Sequence, residues 1–137
     1  MIDLSKKQRY LLSFLSGILM VISFPYTGSL FPLVFVSWVP LLFLESFISE
    51  KNYRSSKVFL HAYIVFFIYN IGTTWWIWNA SLDGAVMAIT LNALFMSLTF
   101  HLFHLTKKYF GKKEGYLAFI FFWIAFEYFH YHWELSW

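Results

Sequence analysis

Four uncharged runs divide this chain: residues 10–44, 58–82, 84–106 and 115–126 contain no Asp, Glu, Lys or Arg. A helix needs roughly 20 predominantly apolar residues to cross the hydrocarbon core of a bilayer. The second and third runs, of 25 and 23 residues, each suit one crossing. The fourth reaches that length once its helix carries Glu127 and continues to about Tyr131. The first, at 35 residues, is too long for one crossing. Pro25-Tyr26-Thr27-Gly28-Ser29 at its middle are turn formers, which predicts a tight hairpin between two short spans. Halves of about 15 residues sit near the lower limit for spanning, so tilt or local thinning of the bilayer accompanies them. The expected fold is therefore an all-α integral membrane bundle of about five transmembrane helices, over 10–24, 30–44, 58–79, 85–106 and 116–131. A signal peptide over 1–29 is the competing reading of the start. No A-x-A-like cleavage site follows, however, and the apolar run resumes at Leu30.

Composition agrees with the pattern. The chain is 60% hydrophobic and 12% charged, whereas soluble domains carry about 25% charged residues. A water-soluble globular fold, a disordered tail and a disulfide scaffold are excluded. The absence of cysteine removes thiol nucleophiles, disulfides and thiolate metal ligands.

Charge then orients the spans. The ten Lys and Arg residues fall in three clusters: Lys6, Lys7 and Arg9; Lys51, Arg54 and Lys57; Lys107, Lys108, Lys112 and Lys113. With the N-terminus inside, all three clusters lie on the cytoplasmic side of a five-span chain, as the positive-inside bias requires. The expected topology is N-terminus cytoplasmic and C-terminus outside. Nucleic acid is not an expected partner, because the basic residues punctuate apolar runs rather than forming one soluble footprint.

Three constellations could carry chemistry. On a helix, Trp123, Glu127, His130, Glu134 and Trp137 share one face, since they are separated by 4, 3, 4 and 3 residues. A carboxylate within a span faces a protein interior or a wet cavity and is a candidate functional group by default. The alternative is a buried structural Glu127 bonded to a neighbouring Ser, Thr or Tyr. In the second constellation, Trp75, Trp76 and Trp78 precede Asn79 at the outer end of the third span. They read as an interfacial aromatic belt or as the lipid-contacting wall of an outward pocket, with Asn70, Thr73, Thr74 and Asn79 adding polar contacts. The third is histidine: His61 with His101 or His104 could supply two imidazoles to a haem iron, although interfacial side chains with wet tips are the commoner case. No cofactor or metal site is expected, because a metal needs three or four ligands. Ser13 and Gly17, four residues apart, could bring the first span close to another helix.

The order of these features resembles a family. Leu11-Leu12-Ser13-Phe14-Leu15-Ser16-Gly17, then Ser23-Phe24-Pro25-Tyr26, then Val39-Pro40-Leu41-Leu42 look like the opening helices of bacterial apolipoprotein N-acyltransferases. The Gly72-Thr73-Thr74-Trp75-Trp76-Ile77-Trp78-Asn79-Ala80-Ser81 stretch is similar to that family's third-helix segment. Trp123 to Glu127, followed by Trp133 and Trp137, resembles its W-x-x-x-E segment leading into a Trp-containing periplasmic loop. The resemblance covers nearly the whole chain but only the N-terminal part of the family's length.

It implies an inner-membrane protein that handles a phospholipid acyl donor and a diacylglyceryl-apolipoprotein acceptor among the membrane lipids. The family transfers an acyl chain to the α-amine of the acceptor's N-terminal cysteine, through a thioester on an enzyme cysteine. That cysteine belongs to a periplasmic carbon–nitrogen hydrolase-type domain, which is absent from this chain. No catalytic residue can be carried over, and these 137 residues alone are expected to be inactive. The residues expected to shape lipid approach are Trp75, Trp76, Trp78, Asn79, Trp123, Glu127, His130 and Glu134. The alternatives are a small non-enzymatic multi-pass assembly or interaction protein and the bis-His haem protein.

Overall fold

Residues 3–132 are described by a computed structural model. All regular structure among them is helical: α1 Lys6–Ser23, α2 Leu33–Ser37, α3 Val39–Glu50, α4 Ser56–Thr74, a 3₁₀ turn Trp75–Asn79, α5 Leu82–Phe110 and α6 Lys112–His132. α1 packs against α2, α3 and α4, α4 against α5, and α5 against α6.

Local chemistry sets the helix ends. Ser5 and Gln8 form a reciprocal capping box at the start of α1, satisfying amides that have no intrahelical acceptor. Ser81 caps α5 by accepting from the Gly84 amide at 3.1 Å, and Gly111, at φ 117°, separates α5 from α6. Between α1 and α2 the expected turn forms over residues 24–30. Thr27 and Ser29 donate their hydroxyls to the carbonyls of Val21 and Pro25. Gly28 is required here, because a Cβ would sit 2.2 Å from the Ile22 carbonyl oxygen. At the α1–α4 contact, a Cβ on Gly17 would lie 2.9 Å from Ile68 Cβ. The helices approach closely only because that side chain is missing.

Among the described residues, three helical stretches are long and apolar enough to cross a membrane: Leu33–Glu50, Ser56–Asn79 and Leu82–Phe110. α1 and α6 are 18 and 21 residues long but open on basic residues, and α6 also bears Glu127 and His130. The second apolar segment runs further than its lack of charge suggested. α3 continues through Glu45 to Glu50, because Glu45 is buried and paired. Its Oε2 accepts from Lys107 Nζ at 2.5 Å, and its Oε1 lies 2.7 Å from His104 Nδ1. Lys107, which the sequence groups with loop lysines, is likewise buried on α5.

The core is aromatic. Trp38, at the joint of α2 and α3, meets Trp123 edge-on at 4.7 Å and 89° and also packs on Phe66, Phe100 and Phe119. Edge-to-face pairs of this kind add about 0.5–1.5 kcal/mol each beyond area burial. The three basic clusters gather at one end of the bundle. Arg9 and Lys57 both sit over the Tyr53 ring, Lys51 pairs with Asp3 at 3.3 Å, and Lys108 reaches Ser55 at 3.4 Å.

Candidate functional site

A cavity of about 520 Å³ lies toward the opposite end, where α1 and α4 finish and α5 begins. Its apolar wall includes Met20, Phe24, Phe31, Val34, Trp38, Met96 and Phe126; its polar groups are Tyr69, Asn70, Thr73, Thr74, Asn92, Glu127 and His130. Concave, mainly apolar sites with a few convergent polar groups are the usual form of a small-molecule pocket.

The polar side is built in two parts. Asn70, buried on α4, donates Nδ2 to its own helix at Phe66 O (2.7 Å) and accepts from Asn92 Nδ2 on α5 at 2.7 Å. Asn92 Oδ1 is buried and without a hydrogen-bond partner. An unpaired acceptor on a cavity wall is a point where a ligand's donor would be satisfied. Thr73 and Thr74 spend their hydroxyl protons on the carbonyls of Tyr69 and Asn70, so they too offer the cavity lone pairs only. The second part comes from α6. Trp123 Nε1 donates to Glu127 Oε1 at 3.0 Å, and His130 stacks on Phe126 with ring centroids 5.7 Å apart. The Glu127 carboxylate is exposed and its partner is an indole. This is not the sealed Ser, Thr or Tyr contact of the structural alternative.

Of the residues expected to shape lipid approach, Trp123, Glu127 and His130 therefore line one cavity. Trp75, Trp76, Trp78 and Asn79 do not: they lie on the 3₁₀ turn, with the indoles 58%, 51% and 58% exposed. Exposed indoles at the end of a helix are where an aromatic belt sits. Glu134, with Trp133 and Trp137, falls outside the described residues. Sequence reasoning missed Trp38, Tyr69, Asn92 and Met96. Asn92 had a signal, a lone amide inside an uncharged run; the others are indistinguishable from core residues until the helices are assembled.

Of the two haem pairs, the one that uses His104 fails, because its Nδ1 faces Glu45 at 2.7 Å and its Nε2 faces Ser55 Oγ at 3.1 Å. Neither ring nitrogen is left for iron. His61 Nδ1 is engaged by Ser13 Oγ at 2.8 Å. Among the described residues no three His, Asp or Glu side chains converge on a metal position.

A bundle of apolar helices, basic at one end and holding an amphipathic cavity toward the other, defines the class as a membrane protein. A family model described as the apolipoprotein N-acyltransferase N-terminal domain matches residues 16–137, and the chain belongs to that family. It is similar to an apolipoprotein N-acyltransferase of Chlorobaculum tepidum, at 28% identity over 120 residues, covering 86% of this chain and 22% of that protein. The chain thus spans well under half the length of that relative. No solved structure matches it.

Proposed function

We propose that this chain is the membrane portion of an apolipoprotein N-acyltransferase, and that its cavity admits the lipid substrates at the outer leaflet of the bacterial inner membrane. In this reading the chain crosses five times, with its N-terminus in the cytoplasm. The basic end then lies inside and the cavity outside. The supporting observation is the amphipathic cavity itself: an aromatic and aliphatic wall suited to acyl chains, faced by Glu127, His130 and the Asn70–Asn92 pair suited to a headgroup. The acyl chain comes from a phospholipid and goes to the N-terminal amine of a diacylglyceryl-apolipoprotein.

The chemistry itself belongs to a cysteine-bearing domain. These residues contain no cysteine and alone form no thioester. Their part is approach and orientation, which lowers the entropic cost of bringing two membrane-bound reactants together.

The test is Glu127→Gln in a complete enzyme carrying this segment. The substitution keeps size and the indole contact while removing charge. We expect acyl transfer to fall about ten-fold or more, the scale of one lost charge-assisted hydrogen bond, with the fold intact. Unchanged kinetics in a correctly folded variant would refute a substrate role for Glu127.

A further inference from the structure

At the basic end, two cations lie against one aromatic ring. Arg9 Cζ lies 5.2 Å and Lys57 Nζ 4.0 Å from the centroid of Tyr53. Arg9 comes from α1, Lys57 from the first turn of α4 and Tyr53 from the loop between α3 and α4. Of the other basic residues, Lys51 pairs with Asp3 and Lys107 with Glu45. Among the described residues no carboxylate comes within ion-pair distance of Arg9 or Lys57, and Arg9 Nη1 is buried without a hydrogen-bond partner. A desolvated guanidinium nitrogen without a partner is costly unless an anion meets it.

Position identifies the anion. Arg9 is the last charged residue before the uncharged run that starts at Tyr10, and Lys57 the last before the run that starts at Val58. Both cations therefore stand at the boundary between water and hydrocarbon, the depth of lipid phosphates. The Arg fork suits a phosphodiester's two oxygens, and a lysine ammonium adds a point charge beside it.

We infer that Arg9, Lys57 and Tyr53 form a binding site for the phosphodiester of an anionic phospholipid in the leaflet at the basic end of the bundle, separate from the cavity at the other end. The inference rests on the membrane reading of the fold but not on acyl transfer. Loss of activity in the Glu127 variant and loss of lipid here are independent outcomes.

The experiment is native mass spectrometry of the purified chain in detergent, titrated with phosphatidylglycerol and, separately, phosphatidylcholine. Phosphatidylglycerol should bind selectively. Lys57→Gln should weaken it roughly five-fold and Arg9→Gln with Lys57→Gln roughly 25-fold, from the contribution of each basic residue near a membrane surface. Lys112→Gln with Lys113→Gln removes the same charge elsewhere and should bind as the parent does. Lys57 is exposed, so its single variant keeps the test open should the Arg9 variant not fold. Equal binding of the two lipids, or equal losses in the two double variants, would overturn the site. Displacement of phosphatidylglycerol by inorganic phosphate alone would assign it instead to a soluble anion and overturn the lipid proposal.

Discussion

The buried cluster around Glu45 yields a quantitative prediction. Glu45→Leu removes the acceptor of both Lys107 Nζ and His104 Nδ1. Lys107 would keep only Ser46 Oγ at 3.1 Å and the faces of Phe103 and Tyr116, at 5.9 and 5.5 Å. An ammonium stranded in a site where its side chain is only 5% exposed loses its Coulombic partner without regaining water. Breaking a buried pair from one side costs about 3–5 kcal/mol. Replacing both partners removes the stranded charge, and buried pairs exchanged for apolar residues are often neutral or better. His104 Nδ1 still loses its acceptor in that double variant, worth about 1–3 kcal/mol. That loss is common to the single variant and cancels, so Glu45→Leu with Lys107→Leu should be more stable than Glu45→Leu alone by about 3 kcal/mol or more. The assay is reversible SDS-induced unfolding in mixed micelles, followed by tryptophan fluorescence and far-ultraviolet circular dichroism. A single variant costing less than about 1 kcal/mol would refute the reasoning, as would a double variant whose loss is the sum of the two singles. Either result would mean that the cluster is not a desolvated pair in the membrane.

Other substitutions probe the packing. Gly17→Leu should force α1 off α4, because even a Cβ would come within 2.9 Å of Ile68; overpacking of about 1–3 kcal/mol should appear as a lower unfolding midpoint in the same assay. Trp38→Ala should cost about 3–5 kcal/mol, since Trp38 joins Phe66, Phe100, Phe119 and Trp123 in one cluster. Trp75→Ala, at an exposed indole, should stay within about 0.5 kcal/mol, and equal losses at Trp38 and Trp75 would count against the core described here.

Some of the site was legible before the helices were assembled. The spacing of Trp123, Glu127 and His130 is a property of helix geometry, so one face could be assigned from sequence alone, and all three line the cavity. For Trp75, Trp76 and Trp78 the sequence left two readings open, an aromatic belt and a pocket wall, because a cluster of indoles does not show which way the chain turns. The chain leaves the α-helix at Thr74, and the 3₁₀ turn turns the indoles outward. Trp38, Tyr69 and Met96 were invisible as site residues because a wall built from five helices is not a pattern within any one of them.

The sequence by itself determined the class of fold, because the hydrocarbon thickness of a bilayer is a length that uncharged runs either match or do not. It also determined the hairpin at Pro25 to Ser29, which depends on local turn chemistry, and the gathering of the basic residues at one end, which follows from counting reversals. Tertiary structure decided everything that depends on two helices meeting. It decided that Glu45 does not end a span but is enclosed by Lys107 and His104, and that His104 therefore has no nitrogen to give a metal. It also decided that an amide pair, an indole-bound carboxylate and an aromatic wall enclose a single cavity. A charge in an apolar neighbourhood costs several kcal/mol unless it is met by a partner, and that partner lies about 60 residues away in the chain, where no local pattern can reveal it.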